Sequence, residues 1–150
     1  AERWDSDVLA ENPNYVAILI GINDTWRFFD STFRHNQFLS TPELYRGQYQ
    51  KLIDRTKNRA TVIVMSPFMF ELNQNDPMRA KLQEYQDIAF DLAKKNNLQY
   101  IDIQSTIDKY LSEQSSYTVT KDRVHPKFTG AMVVARKVLD DLDVEWNRFI

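Results

Sequence analysis

Three short apolar runs limit what this chain can become. Tyr15–Ile20, Ala60–Met65 and Leu98–Ile103 are rich in β-branched residues and too short for helices of ordinary length, so each predicts a strand. The first is continuously apolar, the pattern of a parallel strand covered on both faces, the second reads as another buried strand, and the third partly alternates, which suits a sheet edge. Helical patterns lie between them. Thr41-Pro42 is a cap followed by a first-turn proline, with Tyr45, Tyr49, Leu52 and Ile53 as the stripe behind it. Asp76-Pro77 repeats the device ahead of Met78, Leu82, Tyr85, Ala89 and Leu92, and Asn96-Asn97 ends that helix. Ser105 is read as the cap of a helix carrying Ile107 and Leu111. A last helix from about Pro126 presents Ala131, Val134, Ala135, Val138 and Leu142. Residues 1–11 also read as helix, closed by Asn12-Pro13-Asn14. The alternation of strands and helices predicts an α/β layered parallel sheet with right-handed crossovers. Only 22–40 resists assignment. It is an irregular stretch holding Trp26, Phe28, Phe29, Phe33 and Phe38, either a local core or the wall of a pocket.

At 150 residues, 1–150 reads as a single domain able to bury about two thirds of its extended surface. A net charge of −2 with interspersed signs advertises no nucleic-acid surface. No run approaches membrane-spanning length, and no signal peptide is visible, so a cytoplasmic location is the expectation. There is no cysteine, and the histidines are His35 and His125, which argues against a zinc site. His35 reads as a locally bonded surface residue. No phosphate-binding or dinucleotide motif occurs, so no cofactor is expected.

Two short motifs carry chemistry. In Asp122-Arg123-Val124-His125-Pro126 the carboxylate can reach the imidazole within one turn of backbone, fix its tautomer and leave the other nitrogen as a base. The alternative is a capping aspartate beside an ordinary surface histidine, with Pro126 opening the last helix in either case. Gly21-Ile22-Asn23-Asp24 stands at the carboxyl end of the first strand, where ligand crevices of open α/β sheets lie. Asn23 offers a neutral N–H donor suited to an oxyanion, or Asn23 and Asp24 merely cap the following loop.

Together, in this order, the two motifs resemble the SGNH (GDSL-type) hydrolases. The wider run Arg3-Trp4, Asp7-Val8, Gly21 to Arg27, Asp30 and Asp76 to Arg79 is most similar to the bacterial acetylxylan esterase branch. The resemblance covers nearly all 150 residues and implies a flavodoxin-like three-layer α/β/α fold and serine esterase chemistry. It also implies His125 as general base, Asp122 as its orienting partner and Asn23 as side-chain oxyanion donor. Gly21, Trp26 and Arg27 would then border the acyl or sugar pocket. The implied substrate is an acetylated sugar or another small ester, with no metal and no cofactor.

The departure from the family pattern is equally specific. Gly-Asp-Ser, which supplies the nucleophile, occurs nowhere, and Gly21, Gly47 and Gly130 are the only glycines. The expectation is that the family's N-terminal strand–helix–strand is missing and that 1–150 is the C-terminal two thirds of the full domain. Ser66 stands at a strand end but lacks the Gly-x-Ser-x-Gly elbow, so a structural role is expected for it. The resemblance thus implies an O-deacetylase whose nucleophile lies on an absent segment, with this chain inactive by itself. The competing reading is a non-catalytic carbohydrate- or partner-binding module. Without the missing strands, Tyr15–Ile20 becomes an exposed edge, expected to pair with a second copy or with an upstream segment. Enzymes of the resembling branch are often oligomeric, so the resemblance leaves a homo-oligomer as one expectation.

Overall fold

The computed structural model describes residues 2–29 and 40–145. Among them, β1 (Tyr15–Ile18), β2 (Thr61–Met65) and β3 (Gln99–Ile101) form a three-stranded parallel sheet in the order β1-β2-β3. The helices are α1 (Trp4–Asp7), α2 (Ile22–Phe29), α3 (Pro42–Thr56), α4 (Pro77–Lys95), α5 (Ile103–Glu113) and α6 (Phe128–Asp141).

Pleating sorts the side chains between two helical layers. Val16 and Ile18 lie beside Val62 and Val64 and share one cluster with Tyr49 and Ile53 of α3 and Tyr85 and Ala89 of α4. The opposite face, through Ile63, Met65 and Ile101, packs on Ile107 of α5 and on Val133, Val134 and Val138 of α6. Burying each such aliphatic side chain contributes about 1.5–3 kcal/mol, so the two clusters fix which helix lies on which face. The result is a helix–sheet–helix sandwich with helices on both faces of a parallel sheet.

The caps explain two of the long helices. The Thr41 hydroxyl accepts the Leu44 amide at 3.2 Å, and Asp76 accepts the amides of Met78 and Arg79, both at 3.0 Å. Each cap is followed by a proline in the first turn, as the sequence pattern predicts.

Several expectations are corrected. The leading helix is only the four residues of α1, followed by a 3-10 turn at Leu9–Glu11 and a left-handed Asn12 with φ 49°. The first part of 22–40 is the regular helix α2, while 30–39, including Phe33, His35 and Phe38, lies outside the described residues. Helix α5 starts at Ile103, because Asp102 rather than Ser105 is its cap and accepts the Ser105 amide at 3.1 Å. Pro126 does not open α6. It pairs with Thr120 in an isolated antiparallel bridge, and the helix starts two residues later. The inner seam of α6 uses Val133 with Val134 and Val138, whereas Ala131 and Leu142 face outward. Finally, among the described residues β1 is covered on one face only. Val16 and Ile18 are buried, but Tyr15 is 69% exposed and Leu19 beyond the strand 40%. Its outer edge has no partner strand among the described residues.

Candidate active site

The carboxyl ends of β1 and β2 face a loop from Val119 to Lys127, and this loop carries the histidine. It is closed at its base by the Lys127 amide donating to the Val119 carbonyl at 2.7 Å and by the Thr120 hydroxyl donating to the His125 carbonyl at 2.8 Å. Within it, Asp122 makes a short-range fold. Its Oδ1 accepts the amides of Val124 at 3.0 Å and His125 at 2.8 Å, and its Oδ2 lies 2.6 Å from His125 Nδ1. Burial raises the Asp122 pKa, but the His125 amide, the imidazole and the Val124 amide outweigh it and hold the carboxyl down at about 2. Asp122 is therefore ionised at neutral pH and favours the tautomer with the proton on Nδ1. Nε2 is left as the free basic position of an exposed ring.

That ring lines a pocket of about 260 Å³ together with Asn23, Leu19, Ile20, Pro67 and Phe68. The two motifs, far apart in sequence, thus meet across one crevice. Asn23 stands in the first turn of α2, exposed at the pocket rim. Gly21 is buried just before it and does not line the pocket. Its φ of +124° is a conformation that side chains rarely adopt, and a Cβ there would lie 3.0 Å from Pro67 Cγ and 3.1 Å from the Tyr45 hydroxyl. Trp26 packs edge-to-face on His125, with ring centroids 5.4 Å apart, so it borders the imidazole from the α2 side. Arg27 is exposed on α2 and does not line the pocket. Asp24 is half-buried and faces a different groove, between α1 and α3.

Ser66 has a structural role. It is buried, and its hydroxyl oxygen accepts the amides of Ile103 at 2.8 Å and Gln104 at 3.2 Å, tying the end of β2 to the start of α5. Among the described residues lining the His125 pocket, none is a serine.

Sequence reasoning missed three contributors. Tyr45 and Tyr49 of α3 donate to the carbonyls of Ile20 and Ile18, each at 3.0 Å, and so pin the β1 end that leads into the pocket. Their spacing marked them as core, and nothing in it showed hydroxyls aimed at a strand end. Gly130 lets α6 approach the loop: a Cβ there would lie 2.5 Å from the Val119 carbonyl oxygen.

A hydrolase-type α/β sandwich with an Asp–His pair at the strand ends is the class these features define. The model of the GDSL-like lipase/acylhydrolase family matches residues 1–132, and the chain belongs to that family. It is 35% identical over 147 residues to an acetylxylan esterase from Geobacillus stearothermophilus, covering 97% of this chain and 67% of the relative. The crystal structure of that organism's acetylxylan esterase superposes with a TM-score of 0.90 at 34% identity, over 97% of this chain and 66% of the other. An α/β hydrolase from the metagenome of Lake Arreo, Spain, gives 0.91 at 33% identity, over 95% and 66%. The chain therefore spans about two thirds of the length of these relatives. Further structures of the Geobacillus esterase are catalytic mutants in which a serine, an aspartate or a histidine is replaced by alanine. The aspartate and histidine so replaced stand three positions apart.

Proposed function

We propose that this chain forms the base-and-oxyanion portion of a serine esterase that removes acetyl groups from acetylated carbohydrates or similar small esters. The observation that carries the reading is the Asp122–His125 pair at 2.6 Å, with His125 and Asn23 lining one pocket. The pair has the spacing of the aspartate and histidine replaced in the catalytic mutants of the Geobacillus esterase. The nucleophilic serine comes from polypeptide outside these 150 residues. The face and edge of β1 left uncovered among the described residues, and the relatives' additional length, support that placement.

In the reaction, the serine oxygen attacks the acetyl carbonyl and its proton passes to His125 Nε2. Asp122 stabilises the resulting imidazolium through Nδ1. The Asn23 side-chain amide donates to the tetrahedral oxyanion. Collapse breaks the ester bond, His125 returns its proton to the departing sugar oxygen, and an acetyl-serine remains. Water then attacks that ester, again losing its proton to His125, and acetate leaves with the serine restored. Without the serine the remaining members give little turnover, because triad residues act as a unit.

The absence of a serine from the pocket's described lining favours one second reading, a binding module that keeps the crevice without the chemistry. Hydrolysis of p-nitrophenyl acetate separates the two, measured on the chain alone and on the polypeptide with its natural upstream sequence. The esterase reading expects turnover only in the longer form, abolished by His125→Ala. No turnover in the longer form refutes it.

A further inference from the structure

We infer that Arg123 is a positioning residue for the Asp122–His125 pair, a strap that holds the histidine loop against the start of α4. Only its consequence for turnover rests on the esterase reading; the strap itself does not.

The backbone supplies the first argument. Arg123 has φ +70°, a left-handed conformation that costs a residue with a side chain about 1–2 kcal/mol and that arginine has no intrinsic reason to adopt. That conformation reverses the chain between Asp122 and Val124. The amides of Val124 and His125 can therefore both turn onto Asp122 Oδ1, which leaves Oδ2 for the imidazole. The orientation of the histidine thus depends on one strained residue staying where it is.

The side chain supplies the second. Arg123 Nη1 donates to Glu71 at 3.0 Å and to Asp76 at 2.9 Å, and the Arg123 carbonyl accepts the Phe70 amide at 2.8 Å. The two carboxylates are mostly buried, at 23% and 19% side-chain exposure. Asp76 is itself immobilised: its Oδ1 caps α4 and only Oδ2 faces the arginine. An ordinary surface ion pair joins two mobile side chains and contributes little. Here one nitrogen is shared by two carboxylates whose positions the α4 cap and the preceding loop already set. Removing the guanidinium leaves those two charges facing each other across the gap it filled and takes away the side-chain tie between the histidine loop and the start of α4.

The test is nuclear magnetic resonance of the imidazole on the full chain, at a pH where the ring is neutral. Its readout is the His125 Nδ1 proton bonded to Asp122 and the rate at which that proton exchanges with water. Arg123→Asn removes the strap while keeping a residue that tolerates the left-handed region. Arg123→Lys keeps the charge. Arg136→Gln removes a guanidinium bonded to Asp140 on α6 and serves as the control. The expected result is loss of the bonded-proton signal in Arg123→Asn, or exchange at least about tenfold faster, the factor carried by one charge-assisted hydrogen bond. Partial recovery is expected in Arg123→Lys and no change in Arg136→Gln. An unchanged signal and exchange rate in Arg123→Asn overturns the proposal, as does an equal effect in Arg136→Gln. If Arg123→Asn fails to fold, Glu71→Gln decides by the same readout, since it removes one of the two charges the guanidinium joins and leaves the α4 cap intact. The readout needs no turnover, so it tests the strap on this chain whatever its activity, whereas the longer polypeptide inactive with the signal intact counts against the esterase reading alone.

Discussion

Replacing Gly130 and Gly47 each by alanine should move stability in opposite directions, although both lie in helices. At Gly130, in the first turn of α6, the new Cβ would lie 2.5 Å from the Val119 carbonyl oxygen, 3.0 Å from the Phe70 ring and 3.2 Å from Pro126 Cβ. The carbonyl cannot retreat cheaply, because Val119 is fully buried and its oxygen already accepts the Lys127 amide. Overpacking of this kind costs about 1–3 kcal/mol, against a helix-propensity gain of up to about 1 kcal/mol. The expected net loss is about 1–2 kcal/mol, or roughly 2–8 °C in Tm for a domain near this size. At Gly47, in the middle of α3 and exposed, a Cβ meets nothing within 4 Å, so only the propensity gain of about 1 kcal/mol remains. Urea unfolding followed by circular dichroism measures both, with unchanged m-values confirming that the same transition is compared. A Gly130→Ala variant as stable as the parent, or two shifts of the same sign, would refute the packing argument.

Tyr49→Phe should cost about 1–2 kcal/mol in the same assay, because it leaves the buried Ile18 carbonyl without its 3.0 Å donor. On the esterase reading, Asn23→Ala in the longer polypeptide should lower kcat about 10²–10³-fold with a much smaller change in KM, since an oxyanion donor acts in the transition state. Equal changes in both parameters would assign Asn23 to ground-state binding. Asp122 is depressed from 3.8 to about 2, so its contribution to stability is complete above the unfolded value and is lost as pH falls through about 2. A carbon-detected titration of its carboxyl should therefore find a midpoint near 2, and one at the ordinary aspartate value would contradict the hydrogen-bonded loop.

What the sequence discloses here is what is local. Strands show as apolar runs, and α3 and α4 show because cap, proline and stripe lie close together along the chain. The Asp122–His125 contact was legible for the same reason, since three residues separate the partners. Helix α2 was hidden because it follows buried Gly21 without a polar cap, and because its one fully buried side chain is the polar Thr25 while Phe28 and Phe29 face outward. The α5 cap was misplaced because Ser105 and Asp102 both bond within that first turn. Ser105 is the donor to Asp102, so the helix starts earlier. The half-covered β1 was misread because an apolar run reports hydrophobicity and not which face has a neighbour. Arg123 lies 52 residues from Glu71 and 47 from Asp76 in sequence, and only the fold brings them together.

On the esterase reading, His125 and Asn23 address the same reacting centre from two sides of one crevice. Reaction of the longer polypeptide with an organophosphate ester, followed by crystallography, tests it most directly. The phosphoryl group captures the nucleophile in a tetrahedral geometry like that of the acyl intermediate. The expected structure shows a modified serine, one phosphoryl oxygen within hydrogen-bonding distance of the Asn23 side-chain amide, and His125 Nε2 beside the serine oxygen. A phosphorylated residue outside this pocket, or an adduct that neither His125 nor Asn23 touches, would contradict it.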